Sequence, residues 1–146
     1  MPAIRIVRRF PLAPEVAWPR LTDWPRHGAH TPLTRTFVET EGATGLGTRF
    51  TARTGLGPFA FDDPMEVVGW LPPVDGCAGR CRLVKTGRVI TGWAEIEVSP
   101  DGADGCEVNW WEELRVRGVP RLFDPVVAAC ARLVFGRTLA ALLARA

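Results

Sequence analysis

The sequence has no tyrosine and no glutamine, and only one lysine (Lys85), one serine (Ser99) and one asparagine (Asn109). These gaps remove whole chemistries. Ser99 stands before Pro100 in a turn, without the G-x-S-x-G frame of a hydrolase nucleophile, which argues against a serine hydrolase. Schiff-base chemistry has only Lys85 to draw on. General acid–base work is left to His27, His30, the carboxylates and the cysteines. Gly42, Gly45, Gly47, Gly55 and Gly57 fall between strand-like segments and spell no dinucleotide or phosphate-loop fingerprint.

Clusters are scarce as well. All but one of the 18 basic residues are arginine, they are scattered, and the formal net charge is +2, so nucleic acid is not an expected partner. The opening residues MPAIRIVRRF lack the apolar run of a signal peptide, which points to the cytoplasm and reduced thiols. Cys77, Cys81, Cys106 and Cys130 are too few for a disulfide scaffold. Cys77 and Cys81 have three residues between them, not the two of zinc ribbons and redox motifs. No metal and no cofactor are expected. With no repeat and no linker, residues 1–146 read as one domain, long enough for a core of its own.

What is present is a long apolar C-terminal stretch, residues 120–146. Leu122, Phe123, Val126, Val127, Cys130, Leu133, Val134, Leu139, Leu142 and Leu143 recur at helical spacing among alanines. The spacing predicts one long helix. Asp124, Arg132 and Arg137 interrupt it, so a buried helix is expected and a membrane span is not. Upstream, Ala3–Phe10 reads as a strand, Pro14 opens a short helix that Pro19 disturbs, and residues 23–32 supply a second helical turn. Six further strands follow between turn signals: residues 35–41, 47–53, 59–70, 80–86, 89–98 and 106–117. Short turns between successive strands make an antiparallel meander.

Alternation assigns the inward faces. Phe50 points inward from the third strand. Phe59, Phe61, Met65 and Val67 share a side of the fourth if the irregularity at Pro64 keeps register. Cys106, Val108, Trp110 and Leu114 point inward from the seventh. Glu112 lies on that same apolar side. A buried carboxylate must be paired, hydrogen-bonded or neutralised, or else it anchors a ligand. Six tryptophans are present, and Trp93 and Trp111 fall on the outer face, where packing or a protein partner accounts for them. His27 and His30 read as surface residues, with a ligand role as the alternative.

The segment Glu15-Val16-Ala17-Trp18-Pro19-Arg20-Leu21-Thr22-Asp23-Trp24 follows a strand and a proline. It is similar to the Glu-x-Val-Trp-x-x-Leu-x-Asp-aromatic pattern of the START/Bet v 1-like (SRPBCC) superfamily. Met65-Glu66-Val67-Val68-Gly69-Trp70-Leu71-Pro72-Pro73 resembles the end of that family's fourth strand. Together with the apolar terminal helix, the chain most resembles bacterial polyketide cyclase/dehydrase-like members. The resemblance implies an α+β helix-grip fold: a curved antiparallel sheet of about seven strands around a long C-terminal helix, with two short helices after the first strand. It implies a cavity for a small, mostly apolar molecule, lipid- or polyketide-like. Members that are cyclases, aromatases or dehydratases make an enzyme the alternative. A filled core with an interaction surface is the third reading. Expected cavity residues are Phe50, Phe61, Trp110, Glu112, Phe123, Val127 and Cys130. No catalytic set carries over, and both monomer and oligomer fit the sequence.

Overall fold

Apolar–polar alternation produces seven strands: β1 (Ala3–Phe10), β2 (Thr34–Val38), β3 (Arg49–Thr54), β4 (Phe61–Leu71), β5 (Gly79–Thr86), β6 (Ile90–Asp101) and β7 (Gly105–Val116). The computed structural model describes residues 3–31 and 33–144, and it joins these strands into one curved antiparallel sheet of order β1-β7-β6-β5-β4-β3-β2. The expected meander is therefore present, and β1 crosses over to close beside β7. Helices α1 (Pro14–Leu21) and α2 (Trp24–Ala29) follow β1, and α3 (Asp124–Leu142) ends the fold.

Pro19 sits inside α1 near its C-terminal end. An internal proline removes one helical hydrogen bond, and the eight-residue helix stops two residues later. Trp18 and Leu21 on its buried side join the core with Ile6, Ile96, Val108 and Leu139. The expectation that the second helical segment reached residue 32 and the last reached residue 146 falls partly on residues outside the described set.

Several strand details differ from the expectation: β2 stops at Val38 instead of residue 41, and β6 runs through Ser99 and Pro100 to Asp101 where a turn was expected. Phe59 is not in β4; it closes a 3-10 turn, Gly57–Phe59, and is 86% exposed. Pro64 does not break register: Phe50 pairs with Met65 and Thr51 with Pro64 in an unbroken ladder. The irregularity falls between Val67 and Gly69 instead. The consequence is that Asp63 keeps the same side as Phe61 and Met65 and faces inward.

The long helix is less buried than its apolar stripe suggests. Residues 121–142, counting the 3-10 turn before α3, have mean hydropathy 1.5 and are long and apolar enough to cross a membrane, yet only 17% of that window is buried. Thr138, Leu139 and Leu142 are its buried residues, whereas Leu122, Val126 and Leu133 are exposed. The reason is where α3 docks. It packs against β1, α1 and α2, and its fully buried residues all lie in its C-terminal half. Thr138 Oγ1 donates to the Val134 and His30 carbonyls (3.0 and 3.3 Å), and Arg20 donates to Ala144 O at 2.9 Å. The N-terminal half of α3 is left standing over the sheet with a gap beneath it.

Gly92 is the tightest point of the sheet. It lies in β6 between Lys85 of β5 and Leu114 of β7, with φ +133°. A Cβ there would collide with the Glu113 carbonyl oxygen. Gly92→Ala should cost about 2 kcal/mol or more and lower the melting temperature by several degrees. Thermal unfolding by circular dichroism checks this, and an unchanged melting temperature would contradict it.

Candidate functional site

The gap under α3 is a cavity of about 500 Å³. Its walls come from both layers: Phe50 and Ala52 of β3, Phe61 and Met65 of β4, Leu83 of β5, Ile96 of β6, Trp110 of β7, and Val127, Cys130, Val134 and Phe135 of α3. Trp24 of α2 stacks on Phe50 with ring centroids 4.5 Å apart. Trp110 stacks on Phe135 at 5.4 Å, which ties sheet to helix across the cavity.

Three charged side chains break this apolar lining: Asp63, Lys85 and Glu112. Register explains how they meet. Lys85 on β5 and Glu112 on β7 flank β6, where the inward residues are Gly92 and Ala94. Those small residues leave the space over β6 that the two long side chains fill. Asp63 reaches in from β4, and Lys85 Nζ donates to its Oδ2 at 2.8 Å. Lys85 Nζ also lies 3.6 Å from Met65 Sδ. All three residues are buried.

Charge does not balance here: two carboxyl groups share one ammonium. Burial pushes the Glu112 carboxyl above its ordinary pKa, with the Lys85 ammonium opposing and Asp63 reinforcing. Burial works against the Lys85 charge, but Glu112 and Asp63 together outweigh it, and its pKa is raised. The arrangement is a cationic lysine paired with Asp63 beside a glutamic acid held toward its neutral form. The Trp110 indole also hydrogen-bonds the Glu112 side chain and favours its charged form, while Asp63 Oδ1, Glu112 Oε2 and the Trp24 indole nitrogen are buried without a close hydrogen-bond partner. Such orphans are rare in folded proteins and mark places where a ligand or water completes the set.

Of the residues expected in the cavity, Phe50, Phe61, Trp110, Glu112, Val127 and Cys130 line it. Phe123 does not: it ends the 3-10 turn before α3 and is exposed, because the chain has not yet turned over the sheet. The histidines separate. His27, expected at the surface, is in the cavity wall, its Nε2 donating to Leu21 O at 2.6 Å. His30 is exposed and lines a shallow outer depression with Leu33, Arg35 and Leu56. Sequence reasoning did not place Lys85 and Asp63 here. The signal existed: Cys81, Leu83 and Lys85 alternate on β5, as Phe61, Asp63 and Met65 do on β4.

Among the described residues, no three His, Cys, Asp or Glu side chains converge as a metal site. Cys81 and Cys106 are buried thiols whose pKa values burial pushes up to about 12 and about 11, which leaves them inert. On the outer face Trp93 lies under the Arg82 guanidinium at 4.4 Å and donates to Glu113 at 3.0 Å. Trp111 lies under Arg5 at 5.2 Å. The outer tryptophans are thus partly covered by arginines of their own sheet.

A family model described as polyketide cyclase / dehydrase and lipid transport matches residues 1–146. No curated protein matches the chain. Among solved structures, the chain is similar to a START superfamily protein from Mycobacterium smegmatis, with TM-score 0.71 and 11% identity over 97% of this chain and 93% of that one. It is similar to an aromatase/cyclase from Streptomyces, with TM-score 0.65 and 13% identity over 97% and 90%. It is also similar to norcoclaurine synthase from Thalictrum flavum, with TM-score 0.61 and 17% identity over 99% and 87%. At these identities the likeness concerns the fold.

The charge imbalance gives two expected outcomes. Removing the ammonium strands the buried Asp63 carboxylate, so Lys85→Met should cost about 3–5 kcal/mol, read by chemical denaturation. Glu112, with its folded pKa raised, binds its proton more tightly when folded. Its contribution is fully favourable below the ordinary value of 4.5 and is lost as pH rises through the folded pKa. Glu112→Gln carries no such penalty, so its stability relative to the native protein should increase from pH 4.5 to pH 8. A difference that stays constant across that range would show that Glu112 titrates normally.

Proposed function

The chain belongs to the polyketide cyclase/dehydrase and lipid transport family over its whole length, and from that premise we propose that it binds a small, mostly apolar molecule, lipid- or polyketide-like, with the molecule's polar group held at Lys85 and Glu112. The observation that carries this reading is the buried Glu112 carboxyl, with its Oε2 unsatisfied, in a mostly apolar cavity of about 500 Å³. That combination of apolar walls and a few convergent polar groups is the usual make-up of a small-molecule site.

Donor count narrows the polar group. A neutral Glu112 offers an O–H, and Lys85 has an N–H left after Asp63 and Met65. Both are donors, and a carbonyl oxygen accepts from both. A ligand carboxylate would instead bring a third acid against Glu112 and Asp63. Phe50, Phe61, Trp110, Val127 and Cys130 supply apolar contact, at about 25 cal/mol per Å² buried. A cavity between sheet and helix counts against the filled-core interaction module. A cytoplasmic location, in keeping with four free cysteines, belongs to the same proposal.

A second reading rests on Glu112 itself. An acid held toward its neutral form beside a fixed ammonium can protonate or polarise a carbonyl, as a cyclase, aromatase or dehydratase requires. In that case Glu112→Gln would abolish turnover while ligand affinity remained.

The neutral fluorescent ketone 6-propionyl-2-(dimethylamino)naphthalene tests the polar contact against 2-(dimethylamino)naphthalene, which lacks the carbonyl. The ketone should bind about tenfold more tightly, corresponding to one or two net hydrogen bonds. Glu112→Leu should remove most of that advantage while leaving the circular dichroism spectrum unchanged. Equal affinities for the two probes, or an unaltered preference in the folded variant, would remove Glu112 from the site.

A further inference from the structure

Helix α2 carries His27 into the cavity wall between two indoles, with ring centroids 5.4 Å from Trp24 and 5.7 Å from Trp110. Its Nε2 lies 2.6 Å from the Leu21 carbonyl, at the end of α1, where helical carbonyls lack partners. A carbonyl only accepts, so Nε2 carries the hydrogen. Burial disfavours the imidazolium and lowers the His27 pKa, which leaves the ring a single proton. That proton is committed to Leu21, so Nδ1 is a bare lone pair, and among the described residues nothing donates to it. Beside it, the indole N–H of Trp24 is buried and unpaired.

One free acceptor beside one free donor matches a hydroxyl, which both gives and takes a hydrogen bond. We propose that His27 Nδ1, with the indole N–H of Trp24, forms a second polar subsite that takes a hydroxyl group on a planar, aromatic part of the ligand. Planarity follows from the ring stacks of Trp24 on Phe50 and of Trp110 on Phe135, interplanar angles 6° and 16°, which set flat faces on either side of His27. The subsite extends the reading that the cavity binds a small molecule, and rests on it. His27 is then a specificity-determining residue, separate from the Lys85–Glu112 contact.

Two measurements test it on the native chain. Nitrogen-15 NMR of histidine-labelled protein at pH 7 should show His27 Nε2 protonated and Nδ1 unprotonated. The opposite tautomer, or an imidazolium, overturns the proposal. Calorimetric titration should show 2-naphthol binding about three- to tenfold more tightly than 2-methoxynaphthalene, which cannot donate. His27→Phe should erase that preference while still binding the ether. Equal affinities in the native protein, or a preference that survives in folded H27F, overturn the subsite while leaving the cavity reading in place. If neither naphthalene binds, the cavity reading falls and the subsite falls with it. The tautomer and the native-protein comparison decide the matter if H27F does not fold.

Discussion

One ammonium shared between two carboxyl groups, inside an apolar enclosure, is the constraint around which the rest of the structure is arranged. Charges leave water only when they are paired or neutralised. Lys85 pairs with Asp63, and Glu112 is driven toward its neutral acid. The surrounding sheet is shaped to permit this. Gly92 and Ala94 keep the middle strand low where the two long side chains must pass over it. On the outer face the charges pair in water instead, as in Arg80 with Glu97 and Arg53 with Asp62, where they contribute little.

The terminal helix gives the enclosure its roof. Because its fully buried residues, Thr138, Leu139 and Leu142, all lie in its second half, while its first half touches the core only through the small side chains of Ala128 and Ala131, the first half stands over a cavity. A helix packed along its full length would have filled the cavity with Val127, Cys130 and Val134. Standing off, it exposes those residues, with Val126, to whatever enters and leaves Leu133 facing solvent. The cavity is therefore a property of where the helix is pinned.

Much of this was legible in the sequence, and the failures have physical causes. Alternation on the seventh strand placed Trp110 and Glu112 on one face, since the side-chain period of a strand is two. The proline in the fourth strand suggested a break, but Pro64 stays in register, and this hid Asp63 among the inward residues. Lys85 was visible only as the sole lysine; its meaning depends on partners from β4 and β7, which no local pattern reveals. Phe123 was counted into the helix stripe because periodicity cannot tell a preceding 3-10 turn from the helix proper. His27 differs from His30 through one contact, to Leu21 six residues back, that closes only when α1 and α2 fold together.

The account depends on a ligand carbonyl meeting Lys85 and Glu112 inside the cavity. A crystal structure of the protein soaked with a neutral aromatic ketone tests this most directly. The account requires the ketone between sheet and α3, with its oxygen within hydrogen-bonding distance of Lys85 Nζ or Glu112 Oε2. A ketone bound with its oxygen turned to solvent, or seated outside the cavity while the cavity stays empty, would contradict it.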